Sequence, residues 1–149
     1  MTQNKVKISL VQMKMVNDVS SNLKKATSMI QEAASGGAEI VCLPELFSTQ
    51  YFPQYDLSDK ALKDNIKHDT IHGKIYDALS SAASDNNVIL IGGSIFEKCD
   101  GHFFNTSVTF NSDGKLLGKY RKVHIPHDEK FYEQSYFEKG NTGFNVMNT

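Results

Sequence analysis

The 149 residues, 40% of them apolar, are enough to close one hydrophobic core and too few for two. Sixteen basic against seventeen acidic residues leave a net charge of -1 with no basic block. That balance does not indicate an electrostatic surface for nucleic acid or anionic lipid and favours a small uncharged or zwitterionic partner.

Met1 to Val16 holds a short apolar run broken by Gln12 and Lys14, too weak for a signal peptide, and no later stretch reaches membrane-spanning length. The segment Val6 to Met13 reads as a buried strand, central in a sheet, with Val6, Ile8 and Leu10 alternating against Lys7, Ser9 and Val11. Asp18, Ser20 or Ser21 caps a helix with apolar positions Leu23, Ala26, Thr27, Ile30, Ala33 and Ala34, and Gly36-Gly37 stops it. Glu39 to Leu43 is a second strand, ended by Pro44, and the order strand, helix, strand predicts a parallel pair with a crossover helix. Cys42 in that strand and Cys99 farther on have neither disulfide-framework nor metal spacing, which fits a reducing, cytoplasmic setting.

Phe47 to Thr70 is irregular and aromatic, a long loop with helical turns. A second helix spans about Ile75 to Asp85, and Asn86-Asn87 ends it before a strand from Val88 to Ile91. Ser94 to Lys98 and Phe103 to Phe110 form a hairpin around Cys99-Asp100-Gly101. A turn at Ser112-Asp113-Gly114 leads into a strand from Lys115 to Tyr120. Arg121 to Thr142 is a polar loop, and Gly143 to Met147 begins another strand.

Glu45 follows a buried strand and a proline, where loops leaving the carboxyl ends of parallel strands make ligand crevices. A carboxylate there can act as a general base, although an isolated acid after a strand reads as easily as a surface charge. Lys122 follows another strand beside His124 and Pro126, and a fixed lysine can bind an oxyanion. Taken singly it reads as a solvated charge, and spacing alone does not join it to Glu45.

The blocks Val41-Cys42-Leu43-Pro44-Glu45-Leu46-Phe47, Asn105-Thr106 and Gly118-Lys119-Tyr120-Arg121-Lys122-Val123-His124-Ile125-Pro126 do join them. Phe131-Tyr132-Glu133, Tyr136-Phe137 and Gly140-Asn141-Thr142-Gly143-Phe144 follow in order. Together they resemble the successive blocks of the nitrilase superfamily of carbon-nitrogen hydrolases, over essentially the whole chain. The resemblance implies an α/β fold, an αββα sandwich of the nitrilase type, of which residues 1–149 would be the amino-terminal part of a single domain, incomplete at the C-terminus. It also implies a Glu-Lys-Cys triad with Glu45 as general base, Lys122 stabilising the oxyanion and Glu133 as auxiliary carboxylate. No metal and no organic cofactor is implied. The expected partner is a small-molecule amide or ureido substrate, and the full-length protein is expected to be a homo-oligomer.

The nucleophile departs from the pattern, since the family position would fall a short distance past Thr149. Cys42 lies an odd number of residues before Glu45 on an extended strand and is expected in the core among Ile8 and Leu10, pointing away from Glu45. Cys99 sits in a polar turn. Within the superfamily, His124 to Phe144 is most similar to N-carbamoylputrescine amidase and other N-carbamoyl hydrolases, which places the expected function in polyamine biosynthesis. Phe47, Tyr51, Phe52 and His124 are candidate substrate-binding residues. The aromatic ones read equally well as packing under a loop, and His124 and His127 as solvated. Two rivals stand beside this reading. One is a catalytically inactive chain acting as a binding or partner module. The other is a metal hydrolase using His68 and His72, spaced i and i+4.

Overall fold

The computed structural model describes residues 5–57 and 66–149; part of the aromatic loop expected between Phe47 and Thr70 lies outside the described residues. Among the described residues six strands form one mixed sheet: β1 (Ile8–Leu10), β2 (Ile40–Cys42), β3 (Ile89–Ile91), β4 (Ile95–Cys99), β5 (His102–Phe110) and β6 (Leu116–Arg121). The first three run parallel in the order β1-β2-β3. The long strand β5 pairs antiparallel with β3, β4 and β6. Helices α1 (Val19–Ser35) and α2 (Lys74–Asn86) provide the crossovers and pack on each other.

Local chemistry accounts for the element ends. The Asp18 carboxylate caps α1 by accepting the Ser21 N–H at 2.7 Å, and Gly36 closes it. Asn87 ends α2 in the left-handed conformation, φ 51°, which Asn tolerates better than most residues. In the β4-β5 hairpin, Asp100 and Gly101 have φ 52° and 83°, the primed turn that matches strand twist.

The main core lies between the helices and one face of the sheet. Leu23, Ala26 and Ile30 of α1 and Leu79, Ala82 and Ala83 of α2 pack on Val41, Leu90, Val108 and Phe110. A smaller aromatic core gathers Leu46, Phe52, Phe96, Tyr136 and Phe137, with Phe52 within 5.0 to 5.8 Å of three of those rings. The architecture is the expected α/β one, a mixed sheet with one layer of helices packed on it.

Three strand expectations change. β1 is an edge strand, and Ile8 and Leu10 are 59% and 75% exposed. Register places them beside Ile40, Cys42, Ile89 and Ile91 on the sheet face turned away from the helices, so the alternation was read correctly and its burial was not. Cys42 pairs in register with Leu10 on this open face and is therefore half-buried, not enclosed. Gly143 to Met147 forms no strand. The Met147 side chain lies over Gly118 and the Phe144 ring lies 5.8 Å from Tyr120, so the segment crosses the face of β6 instead of pairing with its edge. Among the described residues no helix is long and apolar enough to cross a membrane.

Candidate active site

The chain turns sharply after β2, and that turn presents Glu45. Leu46 has φ 48°, a strained value for a branched residue, and it persists because its surroundings hold it. Leu46 is buried in the aromatic core and its N–H donates to Ser94 Oγ at 3.0 Å. Gly93 has φ 60°, and a Cβ there would stand 2.1 Å from the Pro44 carbonyl oxygen, so only glycine admits this close approach. Glu45 emerges half-exposed, its Oε1 accepting from Asn105 Nδ2 at 2.7 Å and from Lys122 Nζ at 2.9 Å.

Lys122 follows β6, and its backbone is fixed on both sides. Its N–H donates to Asn105 O and its carbonyl accepts from Gly140 N–H, both at 2.9 Å. Nζ reaches Glu133 Oε2 at 2.8 Å and Oε1 at 3.0 Å. Glu133 sits in the 3-10 turn Glu133–Ser135 with only 1% exposure, and its Oε1 also accepts from the Tyr51 hydroxyl at 2.8 Å. Burial works to lower the Lys122 pKa, but the two carboxylates outweigh it and the net shift is upward. Burial and the neighbouring Glu133 push the Tyr51 phenol up as well, so it stays a donor. The result is a cation braced by one buried carboxylate, facing a second carboxylate that remains open to solvent. Such a set can accept a proton at Glu45 and stabilise negative charge at Lys122.

The three charged residues converge as the motifs suggested. Phe47 is fully buried in the main core and lines neither neighbouring cavity. Tyr51 and Phe52 line a cavity of about 480 Å3 together with Ser48, Thr49 and Gln54. His124 is exposed and borders an open cleft with Lys122, Ile125 and Gln134. Gly93 and Ser94 were not read as parts of the site, and Asn105 was quoted only within the Asn105-Thr106 block, without a role. The signal for the first two was the Gly92-Gly93-Ser94 break between strands, and for Asn105 a polar residue inside an apolar strand.

Neither cysteine approaches the cluster through a hydrogen bond. Cys42 Sγ meets its neighbour's carbonyl, Leu43 O, at 3.6 Å, and burial raises its pKa. Cys99 Sγ meets Asp100 Oδ2 at 3.5 Å in the hairpin turn. His68 and His72 do not share a helix face. The His68 ring packs edge-on against Phe103 at 5.6 Å, whereas His72 has φ 71° and packs on Tyr76 at 4.8 Å.

The chain matches the family described as carbon-nitrogen hydrolase over residues 7–149. It is 38% identical over 154 residues to Omega-amidase NIT2-B of Xenopus laevis, an alignment covering 97% of this chain and 51% of that one. Against Omega-amidase NIT2 of Homo sapiens it is 38% identical over 123 residues, 80% of this chain and 40% of that one. The chain spans about half the length of the curated relatives it matches. Its fold superposes on the crystal structure of a carbon-nitrogen hydrolase from Helicobacter pylori G27 with a TM-score of 0.78 at 27% identity, covering 95% of this chain and 47% of that one.

The names of these relatives overturn the expected similarity to N-carbamoylputrescine amidase and, with it, the link to polyamine biosynthesis. The structure supplies the physical reason. The residues that suggested that branch hold the scaffold: Glu133 braces Lys122, and Tyr136 and Phe137 pack in the aromatic core, so they do not report on substrate. The match over residues 7–149 and the half-sandwich fold together place the chain in the carbon-nitrogen hydrolase family, with the nitrilase type of architecture.

Proposed function

We propose that residues 1–149 form the amino-terminal part of a single carbon-nitrogen hydrolase domain whose substrate is a terminal carboxamide, the class named by the omega-amidase relatives. In this reading Glu45 takes the proton from a cysteine thiol and returns it to the departing nitrogen. Lys122 holds the oxyanion of the tetrahedral intermediate, and Glu133 keeps Lys122 charged and in place. Tyr51, Phe52 and His124 border the space around the substrate. The attacking thiol is neither Cys42 nor Cys99. Assembly into a homo-oligomer in a reducing compartment belongs to the same proposal, which the two free cysteines and the open apolar sheet face support.

The observation that carries the reading is Lys122 Nζ lying within 3.0 Å of both Glu45 and Glu133, with Glu45 alone of the two carboxylates open to solvent. The test is release of ammonia from a terminal carboxamide. The 149 residues alone should release none, and the same residues joined to a cysteine-bearing continuation should release it steadily. Glu45→Gln in the joined form should lower kcat by roughly a thousandfold, the scale of losing a general base. Full activity of that variant, or turnover by the 149 residues alone, would sink the assignment.

A further inference from the structure

Asn105 touches both halves of the charged cluster from one position in the sheet. Its side-chain Nδ2 donates to Glu45 Oε1 at 2.7 Å, and its backbone carbonyl accepts the Lys122 N–H at 2.9 Å. The reversed amide would set two acceptor oxygens against each other at that distance, so the donor orientation is the physically required one. Asn105 is 2% exposed and lies on β5, which is paired along both edges. Neither of its polar groups can drift with a loop. Glu45, by contrast, stands in a turn with its carboxylate half in water.

The oxygen that Asn105 grips is also the one that meets Lys122 Nζ, at 2.9 Å. Oε1 thus has two donors, whereas Oε2 has no hydrogen-bond partner among the described residues. Two donors occupy the lone pairs of Oε1 and leave those of Oε2 open to meet a proton. The next residue shows that the strand can hold an acid on each face, because Thr106 Oγ1 donates to the buried Glu97 at 2.5 Å on the opposite side.

We infer that Asn105 is a positioning residue, which locks Glu45 Oε1 against Lys122 and so selects Oε2 as the oxygen that takes the proton. The inference rests on Glu45 being the base. Without the tether the Glu45 side chain, long and solvent-facing, would exchange rotamers and present either oxygen.

The test reads the cluster without requiring turnover. In the 15N-labelled 149-residue chain, the Lys122 ammonium protons are followed by NMR at neutral pH, assigned by their loss in Lys122→Arg. Their exchange with water should be slowed while both carboxylates hold them. Asn105→Ala should speed that exchange severalfold and leave the Lys122 backbone amide protected, since the carbonyl it donates to remains. Repeating Asn105→Ala in a Glu45→Gln background should then add nothing, because the residue acts through the Glu45 carboxylate. An unchanged ammonium signal in Asn105→Ala, equal acceleration in both backgrounds, or loss of the Lys122 amide protection would overturn the inference. Failure of the amide-hydrolysis reading is seen separately, in the ammonia assay.

Discussion

Lys122 answers to two carboxylates of very unequal burial, and the inequality decides what each replacement costs. Glu133 is almost fully enclosed and has no route to solvent if its cation is removed, whereas Glu45 can hydrate in place. Lys122→Met should therefore destabilise the fold by about 3 kcal/mol, more than Glu133→Gln, which leaves Lys122 with Glu45 still in contact. Urea unfolding of both variants measures the order; equal effects below about 0.5 kcal/mol would mean the pair behaves as a surface one. The sign with pH follows from the Lys122 pKa, which lies above its ordinary 10.5. The stabilisation is complete below that value and fades as pH rises through the higher one. Glu45, Lys122 and Glu133 were legible because their blocks occur in a fixed order along the chain. Tyr51 was read as a candidate substrate contact, and nothing in the sequence showed that its hydroxyl also donates to Glu133, 82 residues away. No local pattern encodes a bond across that separation, and the same holds for Asn105 with Glu45.

Among the elements, β4, β5 and β6 share a second charged cluster that the site does not use. The Arg121 guanidinium grips both oxygens of Glu97, at 2.7 and 2.8 Å, and Lys119 adds a contact at 3.1 Å. Burial by itself would raise the Glu97 carboxyl, but donors from Arg121, Thr106 and Lys119 outweigh it and bring the pKa from 4.5 to about 2. A depressed carboxylate contributes stability that is whole above its unfolded value and lost as pH falls through the folded one. The urea midpoint should accordingly hold steady above 4.5 and fall between there and about 2. Glu97→Gln should remove part of that acid slope and cost about 3 kcal/mol at neutral pH, because Arg121 is left buried without its partner. A Glu97→Gln chain with the same acid slope would contradict this account. Both helices were legible from their apolar spacing and caps, since Asp18 and Asn87 act locally. The edge position of β1 was not, because an apolar strand reads the same whether or not anything covers its outer face.

For the molecule as a whole, the consequence is an uneven surface. Ile8 and Leu10 sit in register with Ile40, Cys42, Ile89 and Ile91 on a face over which no helix lies among the described residues, and such contiguous apolar area takes up apolar solutes. The chain should bind an environment-sensitive naphthalene dye without denaturant, and Leu10→Lys should cut that fluorescence without lowering the urea midpoint. Dye binding that Leu10→Lys leaves unaltered would locate the exposed area elsewhere. The charged cluster brings a different consequence, one of timing. Its contacts span 77 residues between Glu45 and Lys122 and 60 between Glu45 and Asn105. Loop closure over such lengths costs little more than over shorter ones, but it cannot begin until the far residue exists. During synthesis Glu45 emerges early and waits as an ordinary solvated acid until β5 and β6 have been made and paired. Glu133 arrives last and completes the grip on Lys122. The three charged groups therefore come together only once Glu133 has been made, and a shorter chain carries Glu45 and Lys122 without the full set of contacts.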